Sequence, residues 1–117
     1  MCPRPEPDRL TPAQAHRRLS HGEAVLLDVR EADEWNAGHV PGAVHLPLSR
    51  LATGAALPPT AGDGPVVAIC RSGRRSQQAA EILAERGVEA TDVVGGMIAW
   101  SRAGLPVAPP GRGGEGP

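Results

Sequence analysis

The sequence predicts an α/β domain built on a parallel β-sheet with helices on both faces. Three observations carry this expectation. Residues 24–29 and 65–70 are short, nearly continuous apolar runs, the pattern of strands buried on both faces. Several of the intervening segments carry helix start and stop signals. Strands and helices alternate along the chain, which is the order of a parallel sheet joined by crossover helices.

The elements follow in order. Residues 1–9, MCPRPEPDR, read as an irregular, mobile arm. Thr11, Pro12 and Gln14 make a helix start: Thr11 caps, Pro12 suits the first helical position, and Gln14 completes a capping box. That helix should run to about Leu19, where Ser20-His21-Gly22 stops it. Residues 24–29 form the first strand. Residues 31–37 form a short helix whose acidic first turn suits the helix dipole. A turn at Gly38-His39-Val40-Pro41-Gly42 leads to a second strand at 43–46, then to helical residues from Ser49 to about Ala56. Residues 58–65 are a Pro/Gly-rich loop. The third strand, 65–70, leads to a helix from about Arg74 to Arg86, with Ala79, Ile82 and Leu83 inward and Gly87 as its stop. Residues 88–94 hold a fourth strand, and Gly95-Gly96 turns into a last helix from Met97 to about Ala103. Residues 10–107 are thus the expected domain, and the Gly/Pro-rich residues 108–117 a disordered tail.

Length and composition bound the function. The 117 residues suit one domain, with an interior built from Ala, Val, Leu and Ile because there is no Phe, no Tyr and only two Trp. A net charge of −1 gives no global field toward nucleic acid or membrane. Two cysteines, Cys2 and Cys70, are too few for a disulfide framework and read as intracellular and reduced. The N-terminal residues have no apolar signal-peptide core, and no apolar run approaches the ~18 residues of a membrane span. The expectation is a soluble, cytoplasmic protein.

Chemistry concentrates at Cys70-Arg71-Ser72-Gly73-Arg74-Arg75-Ser76. In open α/β sheets ligands bind beyond the carboxyl ends of strands, and Cys70 stands there, before a helix. Free N–H groups at the helix N-terminus favour an anion. Arg71, Arg74 and Arg75 add cations, and Gly73 permits the turn that brings the loop amides inward. Both effects favour the thiolate of Cys70. Cations at a helix N-terminus oppose the dipole, so this cluster makes sense only with an anion to compensate it.

Three stretches resemble the rhodanese homology domain. Leu27-Asp28-Val29-Arg30-Glu31, with Glu34-Trp35 and residues 38–47 (GHVPGAVHLP), is similar to the family's N-terminal signature. Residues 70–76 resemble its active-site loop, and Gly95-Gly96-Met97-Ile98-Ala99-Trp100 its C-terminal signature. The resemblance implies a five-stranded parallel sheet and a sulfurtransferase. Cys70 would be the nucleophile that carries sulfane sulfur as a persulfide, from thiosulfate or a persulfide donor to a thiol or cyanide. Arg71, Ser72, Gly73, Arg74, Arg75 and Ser76 would bind the anionic donor, and no cofactor is implied. In this fold the sulfurtransferases carry a six-residue loop, which residues 70–75 fit. The related phosphatases and arsenate reductases carry one residue more, with Arg six positions after Cys. Here that position is Ser76.

Other residues carry blander expectations. Asp28 and Arg30 end the first strand and could support the pocket, but a structural ion pair that fixes the following helix is the better reading. His39 and His45 lack further metal ligands at suitable spacing and should support their turn by hydrogen bonds. His16 and His21 read as surface residues. Trp35 and Trp100 should each pack a helix onto the sheet. Cys2 has only its chemistry to recommend it as a resolving thiol. Two other function classes stay open: a sulfur carrier or docking module for a dedicated protein acceptor, and an oxyanion enzyme acting on phosphate or arsenate.

Overall fold

Local sequence chemistry sets where the elements begin and end. The computed structural model describes residues 9–62 and 64–108. Cys2, the rest of the expected arm through residue 8, and the tail from residue 109 lie outside the described residues. Helix α1 (Pro12–Ser20) opens on the expected capping box, with Thr11 and Gln14 exchanging side-chain and backbone bonds of 3.1 and 2.9 Å. Strand β1 (Val25–Asp28) follows, then α2 (Ala32–Asn36), which Glu31 and Glu34 cap in the same reciprocal way. Next come β2 (Val44–His45), α3 (Leu48–Ala52), a 3₁₀ turn (Pro59–Ala61) and β3 (Val66–Ile69). Helix α4 (Arg74–Glu85), β4 (Ala90–Asp92) and α5 (Gly96–Arg102) complete the order.

The sheet is parallel throughout, in the order β2-β1-β3-β4. It has four strands among the described residues and not the five that the resemblance implied. Among the described residues, Leu10 alone holds the position beyond β4: its N–H donates to Asp92 (2.9 Å) and its carbonyl accepts from Val94 (2.8 Å). The next residues explain why pairing does not continue past Leu10. Thr11 caps α1 and Pro12 has no N–H, so the chain leaves the sheet edge there.

Strand parity divides the core in two. Leu26, Val67, Ile69 and Val93 pack with Ala15, Met97 and Trp100, on the side of α1 and α5. Leu27, Val66, Ala68 and Cys70 pack with Leu51, Ala79 and Leu83, on the side of α3 and α4. Successive strand residues point to opposite faces, so both faces need apolar residues, and the unalternating runs supply them. Ile82, expected inward, is only half-buried at the edge of this second cluster.

The two tryptophans behave differently. Trp100 is fully buried, and its indole N–H donates to the Pro106 carbonyl at 2.9 Å. Trp35 is half-buried and stacks on His39 and His45, with ring centroids 3.5 and 4.6 Å away. Both histidines also bond backbone carbonyls, His39 to Trp35 (3.0 Å) and His45 to Arg30 (2.8 Å). His16, read as a surface residue, is half-buried and meets Trp100 edge-on at 5.8 Å. Ala108, the first residue of the expected tail, donates its N–H to the His39 carbonyl at 2.7 Å. No helix among the described residues is long and apolar enough to cross a membrane.

Trp100 is the largest fully buried side chain and joins α1, α5 and the sheet. Trp100→Ala is expected to lower stability by about 3–5 kcal/mol, read from the midpoint of urea denaturation at unchanged slope.

Candidate active site

Cys70 follows β3 and continues its alternation. Val66, Ala68 and Cys70 share the face toward α4. The thiol is therefore carried under the first turn of α4, and it is 1% exposed. Two backbone N–H groups of that turn converge on the sulfur, Gly73 at 3.1 Å and Ser76 at 3.3 Å. N–H groups that lack a partner at the start of a helix thus find one in the sulfur.

Two glycines make this geometry possible. Gly73 caps α4 with φ +102°, a conformation in which a side chain is strained. A Cβ there would also meet Gly95 N and the Arg9 guanidinium, each at 3.1 Å. Gly96, with φ +57°, lies against the outside of the loop, where a Cβ would overlap the carbonyls of Cys70 and Arg71. Those carbonyls accept the first N–H groups of α5, Met97 to Cys70 at 2.8 Å and Ile98 to Arg71 at 3.1 Å. The carbonyls of Cys70 and Arg71 are turned to α5, and the N–H groups of Gly73 and Ser76 face the sulfur.

The site residues expected from sequence divide into distinct groups. Gly73 and Ser76 touch the sulfur. Arg71, Ser72 and Arg74 are exposed on the loop, and neither arginine makes an ion pair among the described residues. Arg75 departs from expectation. Its guanidinium fork is taken by Glu34 of α2, at 2.7 and 2.9 Å, so it ties the loop to α2 instead of presenting a free fork to a donor. Glu34 raises the basicity of Arg75 further, burial opposes this, and the nearby Cys70 charge adds to the rise. Reciprocally, the Arg75 hydrogen bonds hold the Glu34 carboxyl down to about 2, against the opposing effect of burial.

Asp28 and Arg30 form the structural pair the sequence favoured. Both are buried, Arg30 bonds Asp28 at 2.8 and 3.0 Å, and its Nη2 reaches the Gly38 carbonyl at 2.7 Å. The pair fixes the turn after α2 to the end of β1. Beside the loop lies an open groove of about 520 Å³, lined by Arg30, Arg71, Met97, Ile98, Arg102 and Val107. No group of three or more His, Cys, Asp or Glu among the described residues is placed to hold a metal.

Sequence reasoning missed Asp92 and Arg9. Asp92 is 2% exposed and accepts from Ser76 Oγ at 2.7 Å. Arg9 meets both Asp92 oxygens, at 2.8 and 2.9 Å, and bonds the Gly73 carbonyl at 3.0 Å. One signal was available. A carboxylate inside a buried strand needs a partner, and Asp92 shares the parity of Ala90, whose side faces α4.

Comparison with known proteins places these features. Residues 11–103 match the family model of the rhodanese-like domain. An HTH-type transcriptional regulator of Mycobacterium tuberculosis is 40% identical over 111 residues, covering 91% of this chain and 48% of that protein. An adenylyltransferase and sulfurtransferase of Pyricularia oryzae is 37% identical over 102 residues, covering 70% of this chain and 21% of that protein. The chain thus spans less than half the length of either curated relative. The crystal structure of a rhodanese-related protein from Thermoplasma volcanium superposes with a TM-score of 0.73 at 28% identity, covering 86% of this chain and 96% of that one.

Two expectations follow from the site's supports. Gly96→Ala should cost about 2–4 kcal/mol, from a strained φ and an overlap with backbone that cannot give way, and denaturant unfolding measures it. Glu34→Gln tests the strap. Because the folded-state carboxyl sits at about 2 and the ordinary value is 4.5, its stabilisation is full above pH 4.5 and is lost as pH falls toward 2. The variant should be less stable than wild type at pH 7, by at most about 1 kcal/mol for so exposed a pair. The gap should close between pH 4.5 and 2 in denaturation curves taken across that range.

Proposed function

The chain belongs to the rhodanese-like domain family, and on that premise we propose that it is a sulfurtransferase whose Cys70 carries sulfane sulfur between an anionic donor and a thiol acceptor. The observation that carries this reading is the pair of backbone N–H groups, Gly73 and Ser76, aimed at the sulfur of Cys70. Such donors stabilise negative charge on sulfur without any rearrangement at the moment of reaction.

With thiosulfate, the Cys70 thiolate attacks the outer sulfur. The S–S bond of the donor breaks, sulfite leaves with the bonding pair, and Cys70 holds a persulfide. An acceptor thiolate then attacks the terminal sulfur, forms its own persulfide and returns Cys70 as thiolate. Splitting the transfer in two lets donor and acceptor use the site in turn. The buried position of Cys70 suits a donor that reaches in with one terminal atom, while the charged part meets Arg71 and Arg74 outside. With Arg75 engaged by Glu34, these two arginines and the loop amides are the donor-binding groups, and Ser72 is exposed between them. Asp28, Arg30 and Arg75 support the site from beneath and beside it. A cytoplasmic setting fits a cycle that needs a free thiol.

A second reading has support of its own. In both curated relatives the matching region is a part of a longer protein. A carrier that passes sulfur to a protein partner fits that arrangement, and the groove beside Arg71 offers such an acceptor a place next to the loop. A phosphate or arsenate enzyme is not favoured. Its Arg position is taken by Ser76, which is buried and bonded to Asp92.

Intact-mass measurement after incubation with thiosulfate, and separately with a persulfide donor, tests the reading. Wild type should gain one sulfur that dithiothreitol removes, and Cys70→Ala should gain none. No adduct from any donor, or an adduct that survives Cys70→Ala, would sink it. A persulfide that passes to a protein acceptor and not to small thiols or cyanide would favour the carrier.

A further inference from the structure

The group beside the sulfur of Cys70 has no part in the cycle described above. Ser76 Oγ lies 3.5 Å from Cys70 Sγ, and its own proton goes to Asp92 Oδ2 at 2.7 Å. A hydroxyl has one proton to give. Given to Asp92, it leaves only lone pairs facing the sulfur, an arrangement that welcomes an S–H and repels S⁻.

Three other groups act in the opposite sense. The N–H groups of Gly73 and Ser76 donate to the sulfur. The third is Arg9, whose guanidinium is bonded to Asp92 and to the Gly73 carbonyl and attracts negative charge on Cys70. The other charged and titratable groups around Cys70 among the described residues are Arg71, Arg74 and Arg75 of its loop and α4, and the Asp28–Arg30 pair at the end of β1. Glu34 of α2 is joined to Arg75, and His45 of β2 bonds the Arg30 carbonyl. Asp92 is the carboxylate linked to the sulfur through a single hydroxyl.

We propose that the Arg9–Asp92 pair is a positioning device that sets, through the hydroxyl of Ser76, how readily Cys70 takes its thiolate form. Its role in sulfur transfer rests on the sulfurtransferase reading, but its effect on the thiol does not. In the resting site the Ser76 hydroxyl donates to Asp92 and accepts from the thiol. When the thiol proton leaves to solvent, the Ser76 O–H turns to the sulfur, and Asp92 keeps both its bonds to Arg9. Arg9 thus lets the hydroxyl change partners without leaving a buried carboxylate unpaired.

The two members of the pair should act with opposite sign. The test is a pH titration of the thiolate's ultraviolet absorbance, taken as the difference from Cys70→Ala so that Cys2 cancels. Arg9→Gln leaves Asp92 uncompensated and should raise the midpoint by about one on the pH scale. Arg9→Lys keeps the charge without the fork and should fall between Arg9→Gln and wild type. Asp92→Asn leaves Arg9 unopposed and should lower the midpoint by a similar amount. Asp92→Ser is a second neutral variant should the amide prevent folding, which circular dichroism reports. A purely structural role would loosen the loop in every variant and move all midpoints the same way. That outcome, or midpoints that do not move, would overturn the proposal. Persulfide formation by the same proteins is scored separately. Opposite shifts without persulfide in wild type sink the sulfurtransferase reading and leave the device standing. Persulfide with shifts of one sign does the reverse.

Discussion

The functional end of this protein depends on two short backbone bonds, from Gly73 and Ser76 to the sulfur of Cys70. They exist because a strand end and a helix start meet there. The strand's alternation turns Cys70 toward α4, and the first turn of α4 has N–H groups with no partner inside the helix. Ser76, in that first turn, shares the buried face of α4 with Ala79 and Leu83. The sulfur thus occupies a core position and meets donors that an ordinary core position would lack.

That geometry is held from several sides by different chemistry. From outside the loop, α5 donates its first N–H groups to the carbonyls of Cys70 and Arg71, with Gly96 allowing the close approach. Through Arg75, Glu34 ties the start of α4 to α2. Across β4, Arg9 ties the Gly73 carbonyl to Asp92. These bonds come from elements spread along the described chain. The side chains of Arg71, Ser72 and Arg74 are the part of the loop left exposed to solvent.

What could be read from sequence was what lies close in sequence. The loop is contiguous, so its thiol, glycine and helix start were visible together. The strands showed as apolar runs because both sheet faces are covered, and the capping box of α1 spans only residues 11–14. Long-range pairings were not visible. Arg9 and Gly73 stand 64 residues apart, and Arg75 and Glu34 stand 41 apart, so their partnership requires the register of the sheet and the packing of its helices. Arg75 therefore looked like a free cation, and Asp92 like an incidental strand residue. Among the described residues the edge beyond β4 carries a single bridge at Leu10 in place of a fifth strand, and its C-terminal limit has a local cause: Thr11 and Pro12 read as a helix start, and that start also ends the edge pairing after Leu10.

The shortage of aromatic residues has an optical consequence. With no tyrosine and two tryptophans, all near-ultraviolet emission comes from Trp35 and Trp100. Trp100 is sealed in the interior, so its signal follows unfolding of the whole domain. Trp35 lies on two imidazole rings, next in sequence to the glutamate that holds Arg75. Its signal therefore follows the neighbourhood of the sulfur. The chain carries two fluorophores in separate places, one for the fold and one for the site.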